Sequence, residues 1–310
     1  MKSSVLLITY KRFSTTQKVF NEIKKAKPPK LYFVNNAPSP NADENERIQI
    51  SQIRELVNSI DWDCNVKTLF RENHLLTMDS ITSSIDWFFE NEDEGVIFED
   101  DCLPDQSFFN YCDSLLDFYR NDNSIFIISG ANVEPNIEFD NSYRFSKYPH
   151  IWGWASWSNR WSLYDKHISQ WNSNKLRWFI NNEFTLKEKF YWATIFNKLK
   201  MNKINTWDYQ LLFTTWINNL NNLIPRSNMI SNIGFGEDAN FTNNANDPCA
   251  NQPVTKTKAP LKHSTSKVKY KSLDTQLALQ HFKITFTISF IRYIYSELEL
   301  FFKKIKGLLD

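Results

Sequence analysis

The sequence predicts an α/β protein built on a mostly parallel central sheet. Short apolar runs recur through the first part of the chain, at residues 5–9, 31–34, 95–98 and 124–128, with a weaker one at 65–70. Continuous runs of this kind suit strands covered on both faces. Amphipathic stripes lie between them: Val19 and Ile23, then Ile50, Ile53, Val57 and Ile60, then Met78, Ile81, Ile85 and the Phe88/Phe89 pair. Those spacings predict helices over 15–25, 47–60 and 78–89, each turning one face to a sheet. Strand alternating with helix is the pattern of a parallel sheet, whose ligands gather at the C-terminal strand ends.

A chain of 310 residues has room for one large domain and an appendage. The expected division is a domain over 1–254, with a donor half at about 1–130 and an acceptor half at about 131–254, and a tail over 255–310. A formal net charge of +1 excludes a dedicated nucleic-acid binder, which carries a strong basic excess. Aromatic residues make up 15% of the chain, enough to fill a core and still line a cleft. Cys64, Cys102, Cys112 and Cys249 form no CxxC pair and no zinc-ligand spacing, which reads as reduced thiols in a cytoplasmic protein. The first apolar run is too short for a signal-peptide core and meets Lys11 and Arg12 at once, so it is a first strand. No apolar stretch is long enough for a transmembrane helix.

Residues 140–235 are rich in Trp and Tyr, and 236–260 are polar and turn-rich, which predicts a mobile loop near the site. From Thr255 the chain carries eleven Lys/Arg against four Asp/Glu. Residues 281–310 are apolar and aromatic with basic ends. A helix there suits a peripheral membrane contact through 268–310, on the inner face of the cytoplasmic membrane, or packing on the domain itself, or a dimer contact.

The sharpest chemical signal is Glu99-Asp100-Asp101, directly after an apolar strand. Adjacent carboxylates raise one another's pKa, and a divalent cation relieves the repulsion. Carboxylate oxygens suit Mn²⁺ or Mg²⁺, which readily bridge to a diphosphate. The competing reading is a solvated acidic turn. Thr9 and Arg12 stand at the end of the first strand and Asn36 at the end of the second. An arginine so placed can clamp a phosphate through paired hydrogen bonds, or make a surface salt bridge. Asp208, flanked by Trp207 and Tyr209, suits a general base with a raised pKa, or a helix N-cap. The block running from Tyr148 through Trp152, Gly153 and Trp154 suits a sugar platform or a Trp-rich core turn.

Together these segments resemble the N-acetylglucosaminyltransferase I family and its bacterial nucleotide-diphospho-sugar transferase relatives. The likeness rests on GVIFEDDCLPDQSFFNYC at 95–112, with VLLITYKRFS, SIFIISGAN, YRFSKYPHIWGWASWSNRW, WDYQ and IPRSNMISNIGFGEDA in the same order along residues 4–240. It implies the GT-A fold and an inverting, metal-dependent transfer of a sugar from a nucleotide-diphosphate donor, UDP-sugar favoured, to a glycan or glycolipid acceptor, as in lipopolysaccharide or capsule assembly. By that resemblance Asp101 holds the metal, while Thr9, Arg12, Asn36, Glu99 and Asp100 contact the donor. Asp208 is then the catalytic base. Read from the residues themselves, Trp152, Gly153, Trp154 and Trp207 are the expected acceptor platform. Asn36 stands where relatives carry an acid, and Phe241 where many such enzymes carry a histidine. The Phe241 departure supports an alternative, a degenerate GT-A domain that binds nucleotide sugar or glycan without turnover. A nucleotidyltransferase is disfavoured because the first strand leads into TYKRFS without a glycine-rich phosphate loop.

Overall fold

The computed structural model describes residues 1–133, 140–171, 184–236, 244, 246–264 and 271–307. The predicted alternation is present. Strand β1 (Ser4–Thr9) leads to helix α1 (Phe13–Ala26), β2 (Lys30–Asn35) to α2 (Glu44–Glu55), β3 (Asn65–Phe70) to α3 (Thr77–Phe89), and then comes β4 (Glu94–Glu99). All six residues of β1 are buried, because helices cover both faces of the sheet. Val5 and Leu7 pack with Val19 and Ile23 of α1, while Leu6 and Ile8 pack with Ile81 and Ile85 of α3. That alternation is the strand period expressed as two cores. The stripe expected to end at Ile60 closes earlier as helix: α2 stops at Glu55 and a 3-10 turn, Leu56–Ser59, follows.

The second half of the chain adds β5 (Cys102–Pro104), α4 (Ser107–Tyr119), β6 (Ile125–Ser129), β7 (Tyr143–Ser146), β8 (Trp154–Trp157), α5 (Ser158–Trp161), α6 (Leu186–Lys200), α7 (Asp208–Ile217), β9 (Asn221–Pro225) and β10 (Ile230–Asn232). The main sheet has the order β3-β2-β1-β4-β8-β6-β9-β7, and β10 pairs β5 in a small second sheet. The strands β3, β2, β1 and β4 are mutually parallel, as are β6 and β9. Strand β8 is wedged between β4 and β6, antiparallel to both, with Trp154 opposite Ile97 on one side and Ser129 on the other. Residues 152 and 153 therefore enter the sheet at the edge where Glu99 leaves it. This is the α/β class with a mostly parallel, helix-flanked sheet that the sequence predicts.

A third core gathers Trp192 and Phe196 of α6 with Phe213 and Trp216 of α7. The C-terminal segment joins it through α8 (Lys271–His281), whose Leu277 and Ala278 are buried there. Asp274 of α8 is buried with Arg144 of β7. Its carboxylate accepts hydrogen bonds from Arg144 Nη1 at 2.8 Å, Ser146 Oγ at 2.6 Å and the Lys147 backbone N–H at 2.8 Å. Helix α9 (Phe286–Ile305) then packs along α6. No helix among the described residues is long and apolar enough to cross a membrane.

Candidate active site

The C-terminal ends of β1 and β4 lie side by side, with Ile8 paired to Glu99. The chain leaves β1 as Tyr10, Lys11 and Arg12, and Arg12 turns back over the β4 tip. Its Nη2 donates to Asp100 Oδ1 at 2.5 Å and to Asp101 Oδ2 at 2.8 Å, while Nη1 donates to the Gly234 carbonyl at 3.1 Å. The Tyr10 backbone N–H donates to Asp100 Oδ2 at 3.2 Å. The acids are thus not a solvated turn: the side chains of Asp100 and Asp101 are 7% and 14% exposed. Nor is Arg12 in a surface salt bridge.

Two aspartates share one guanidinium, so negative charge is left over, and Glu99 lies beside them. Burial, followed by Asp101 and Asp100, pushes the Glu99 carboxyl up to about 8, against the pull of Arg12. Burial also raises Asp100 despite Arg12. Burial opposes the charge on Arg12, and the two aspartates more than reverse it, so the guanidinium stays protonated. Gly234 closes this corner. A Cβ at that position would run into the Asp101 carboxylate and come within 2.5 Å of Arg12 Nη1. A larger residue there would have to push both side chains aside.

A cleft of about 320 Å³ opens on the corner, lined by Thr9, Arg12, Asn36, Glu99 and Asp100 among others. Thr9 and Asn36 lie in its wall with their polar groups already engaged. Thr9 Oγ1 donates to the Val34 carbonyl at 2.7 Å and accepts from Asn35 Nδ2 at 3.0 Å. The Asn36 side chain pins the segment after β3: its Nδ2 donates to Leu75 O at 2.8 Å, and its Oδ1 accepts from Leu75 N at 3.1 Å. The opposite wall was not foreseen. It is made by Tyr10, Ser39 and residues 74–77, with the His74 ring 5.3 Å from that of Tyr10. Glu46 of α2 braces this wall, accepting from Tyr10 Oη at 2.7 Å and from Ser39 N at 2.6 Å. The available signal was position, because these residues follow β1, β2 and β3 at the same sheet edge.

A second pocket of about 150 Å³ is lined by Trp152, Asp208, Tyr148, Tyr209, Leu277 and Phe282 among others. Asp208 opens α7, and Trp207, not Asp208, is the N-cap residue. Burial raises its pKa against a hydrogen bond from Thr206 Oγ1. Its charge reaches Glu99, whose pKa it helps raise, so the two pockets share one electrostatic neighbourhood.

The expected four-residue platform divides. Trp154 and Trp207 are 1% and 4% exposed, stacked on each other in the core at 6.1 Å. Rings so covered have no face to offer a sugar, which corrects that expectation for both. Gly153 adopts a φ of +59° and has no side chain to stack; a Cβ would strike Ile230. Trp152 alone of the four is a ring lining the second pocket, packed edge-on to Phe235 at 5.8 Å. Phe241 lies outside the described residues, as do Glu237 and Asp238. Among the described residues no group of three or more His, Cys, Asp or Glu side chains forms a metal-ligand set.

Comparison with known proteins finds no family model and no curated protein that matches the chain. Several solved structures match parts of the chain at low similarity. A mannosyltransferase from Pyrobaculum calidifontis, in complex with GDP-Man and Mn²⁺, matches at 10% identity and a TM-score of 0.34, over 49% of this chain and 43% of that one. An apo UDP-glucose pyrophosphorylase matches at 9% identity and a TM-score of 0.36, over 73% of this chain and 90% of that one. The apo glycosyltransferase GlyE of Streptococcus pneumoniae TIGR4 matches at 9% identity and a TM-score of 0.29, over 96% of this chain and 64% of that one. The chain thus spans less than half of the mannosyltransferase. At these scores the likenesses carry no argument about activity, which rests on the site itself.

Proposed function

We propose that the protein is a GT-A-type glycosyltransferase that moves a sugar from a nucleotide-diphosphate donor to a glycan or glycolipid hydroxyl with inversion. The reading is carried by one observation: a buried Arg12–Asp100–Asp101 corner at adjoining strand tips opens through Arg12 and Asp100 on a cleft, with Asp208 within electrostatic reach in the next pocket. A guanidinium at the rim of a long cleft suits a diphosphate, and carboxylates beside it suit the hydroxyls of ribose and sugar. UDP-sugars are the favoured donors.

The surplus of carboxylate over guanidinium fits a Mn²⁺ or Mg²⁺ ion held by Asp101 together with the donor phosphates, since these ions keep several waters and need few protein ligands. When bound, such an ion would neutralise charge on the departing diphosphate. Arg12 does the same from the protein side. Asp208 accepts the proton of the acceptor hydroxyl as its oxygen bonds to the anomeric carbon and the bond to the diphosphate breaks. Its raised pKa suits that role. Trp152 offers a ring to the acceptor glycan. A role in lipopolysaccharide or capsule assembly fits an acceptor of that class.

The test is donor hydrolysis and transfer with a panel of nucleotide sugars, with and without Mn²⁺. Asp101→Ala should abolish turnover, and Asp208→Asn should lower it while donor affinity holds. Turnover of Asp101→Ala in chelator equal to wild type would refute the metal assignment. Equal loss of donor binding in Asp208→Asn would make that aspartate structural. Binding without turnover for every donor would favour a degenerate nucleotide-sugar or glycan binding module, a reading supported by the engagement of both aspartates by Arg12.

A further inference from the structure

Helix α9 is built inside out. An ordinary surface helix turns apolar residues inward and polar ones to water. Here the stripe packed on α6 holds Ser289 and Ser296, 3% and 2% exposed, with Leu300. Polar contacts fix that orientation. Asn197 Nδ2 of α6 donates to Ser296 Oγ at 3.0 Å and to Glu297 Oε1 at 2.8 Å, and Lys303 Nζ donates to the Met201 carbonyl at 3.0 Å.

The outward side is apolar. Ile291, Ile294, Leu298, Phe301, Phe302 and Ile305 are 42–64% exposed, and Ile288 and Tyr295 widen the same face, while the half-exposed Phe286 and Phe290 rest against Phe190 of α6. At about 100° per residue these eight positions sweep roughly 140° of the helix, with Thr287 as their polar interruption. A contiguous apolar face of this kind is unlike the singly scattered exposed apolar residues of an ordinary monomer surface. The edges are basic. From 283 to 306 there are five Lys/Arg, namely Lys283, Arg292, Lys303, Lys304 and Lys306, against Glu297 and Glu299. Glu299 is already paired with Lys203 at 2.8 Å.

We propose that α9 is a membrane-surface anchor that lies flat in the interface of an anionic bilayer. Its apolar face enters the acyl boundary, and its basic edges meet the headgroups. The helix does not cross, because it is not apolar enough to span and its serine stripe is tied to α6. A second copy is the poorer occupant. A face this wide exceeds the narrow seam of a helix pair. Parallel pairing would also set Lys304 and Lys306 against their own copies, and antiparallel pairing would set them against Lys283. The inference is independent of sugar transfer, because lipid binding is read without turnover.

The experiment is co-sedimentation of the full chain with vesicles of phosphatidylcholine alone and of equimolar phosphatidylcholine and phosphatidylserine, alongside light scattering. Wild type should sediment with the anionic vesicles, weakly with the neutral ones, and less as salt rises. Ile294→Asp/Phe301→Asp should stay in the supernatant with an unchanged melting temperature, since both side chains are exposed. Lys304→Glu/Lys306→Glu should bind anionic vesicles at least about thirtyfold more weakly. Failure of wild type to sediment overturns the proposal, whether the protein is monomeric or forms a dimer that Ile294→Asp/Phe301→Asp dissociates. Unaltered binding by Ile294→Asp/Phe301→Asp overturns it as well.

Discussion

Replacing Asp274 by Ala tests whether the C-terminal helix α8 is an integral part of the fold. The carboxylate is 1% exposed and receives three hydrogen bonds, from Arg144, Ser146 and Lys147. Removing it strands a guanidinium that is itself 2% exposed, together with a buried hydroxyl and a buried backbone N–H. Truncating one partner of a buried ion pair costs about 3–5 kcal/mol, because the remaining charge is uncompensated. With an unfolding entropy of about 2.1 cal/mol/K per residue, a loss of about 4 kcal/mol in a chain of 310 residues lowers Tm by about 6 °C. Differential scanning calorimetry reads that shift. Limited proteolysis within 255–270 should become faster in parallel, since α8 loses its anchor. Arg144→Leu combined with Asp274→Leu should recover most of the loss, because no charge is then left buried. A Tm within about 1 °C of wild type in Asp274→Ala would refute the argument, as would a double variant no better than the single one.

Three further outcomes follow from the site. Backbone and side-chain hydrogen bonds from Ser39 and one from Tyr10 overcome burial and hold Glu46 down at about 2. A depressed carboxyl adds stability above its unfolded value near 4.5 that is lost as pH falls toward 2, and the difference corresponds to about 3 kcal/mol. Glu46→Gln should therefore flatten the acid limb of a stability-versus-pH curve over that window, and an unchanged limb would count against the bracing role. Gly234→Ala should retain the fold yet lose the thermal shift produced by nucleotide sugars, because the new methyl displaces Asp101 and Arg12; an undiminished shift would show that the corner is not the donor site. Trp154→Ala should cost about 3–5 kcal/mol in a denaturation curve, as befits a core ring, whereas Trp152→Ala should leave the curve nearly in place and weaken glycan binding in calorimetry; the reverse pattern would restore Trp154 as a platform.

The strands β1, β2, β4 and β6 were readable because burial on both faces leaves an uninterrupted apolar run. Strand β3 gave a weaker signal for the converse reason, since its residues are only half-buried or exposed at the sheet edge. The order of the later strands was not readable. Nothing local in Trp154–Trp157 shows that it inserts between β4 and β6, because such pairing is a long-range choice. At the site, Arg12 and the acidic triplet could be placed together from strand ends alone. Trp154 and Trp207 were misread because a tryptophan carries the same letter whether it stacks on a ligand or fills a core, and here 26° stacking within the core absorbed both. The wall made by Tyr10 and His74 was missed because Tyr10 is uncharged and the lone His74 follows the weakest strand.

Strand β8 has a mechanical consequence. It runs against β4, which carries the acidic corner, and against β6, which continues into β9 and β7, so a shared ladder rivets the two halves of the molecule through their middle. A clamshell closure of one half over the other would tear main-chain hydrogen bonds on both sides of that strand. Any accommodation to a ligand must come from rim segments and side-chain swings around a stationary floor, which on the proposed function makes the floor a ruler of fixed length between the leaving group and the incoming hydroxyl.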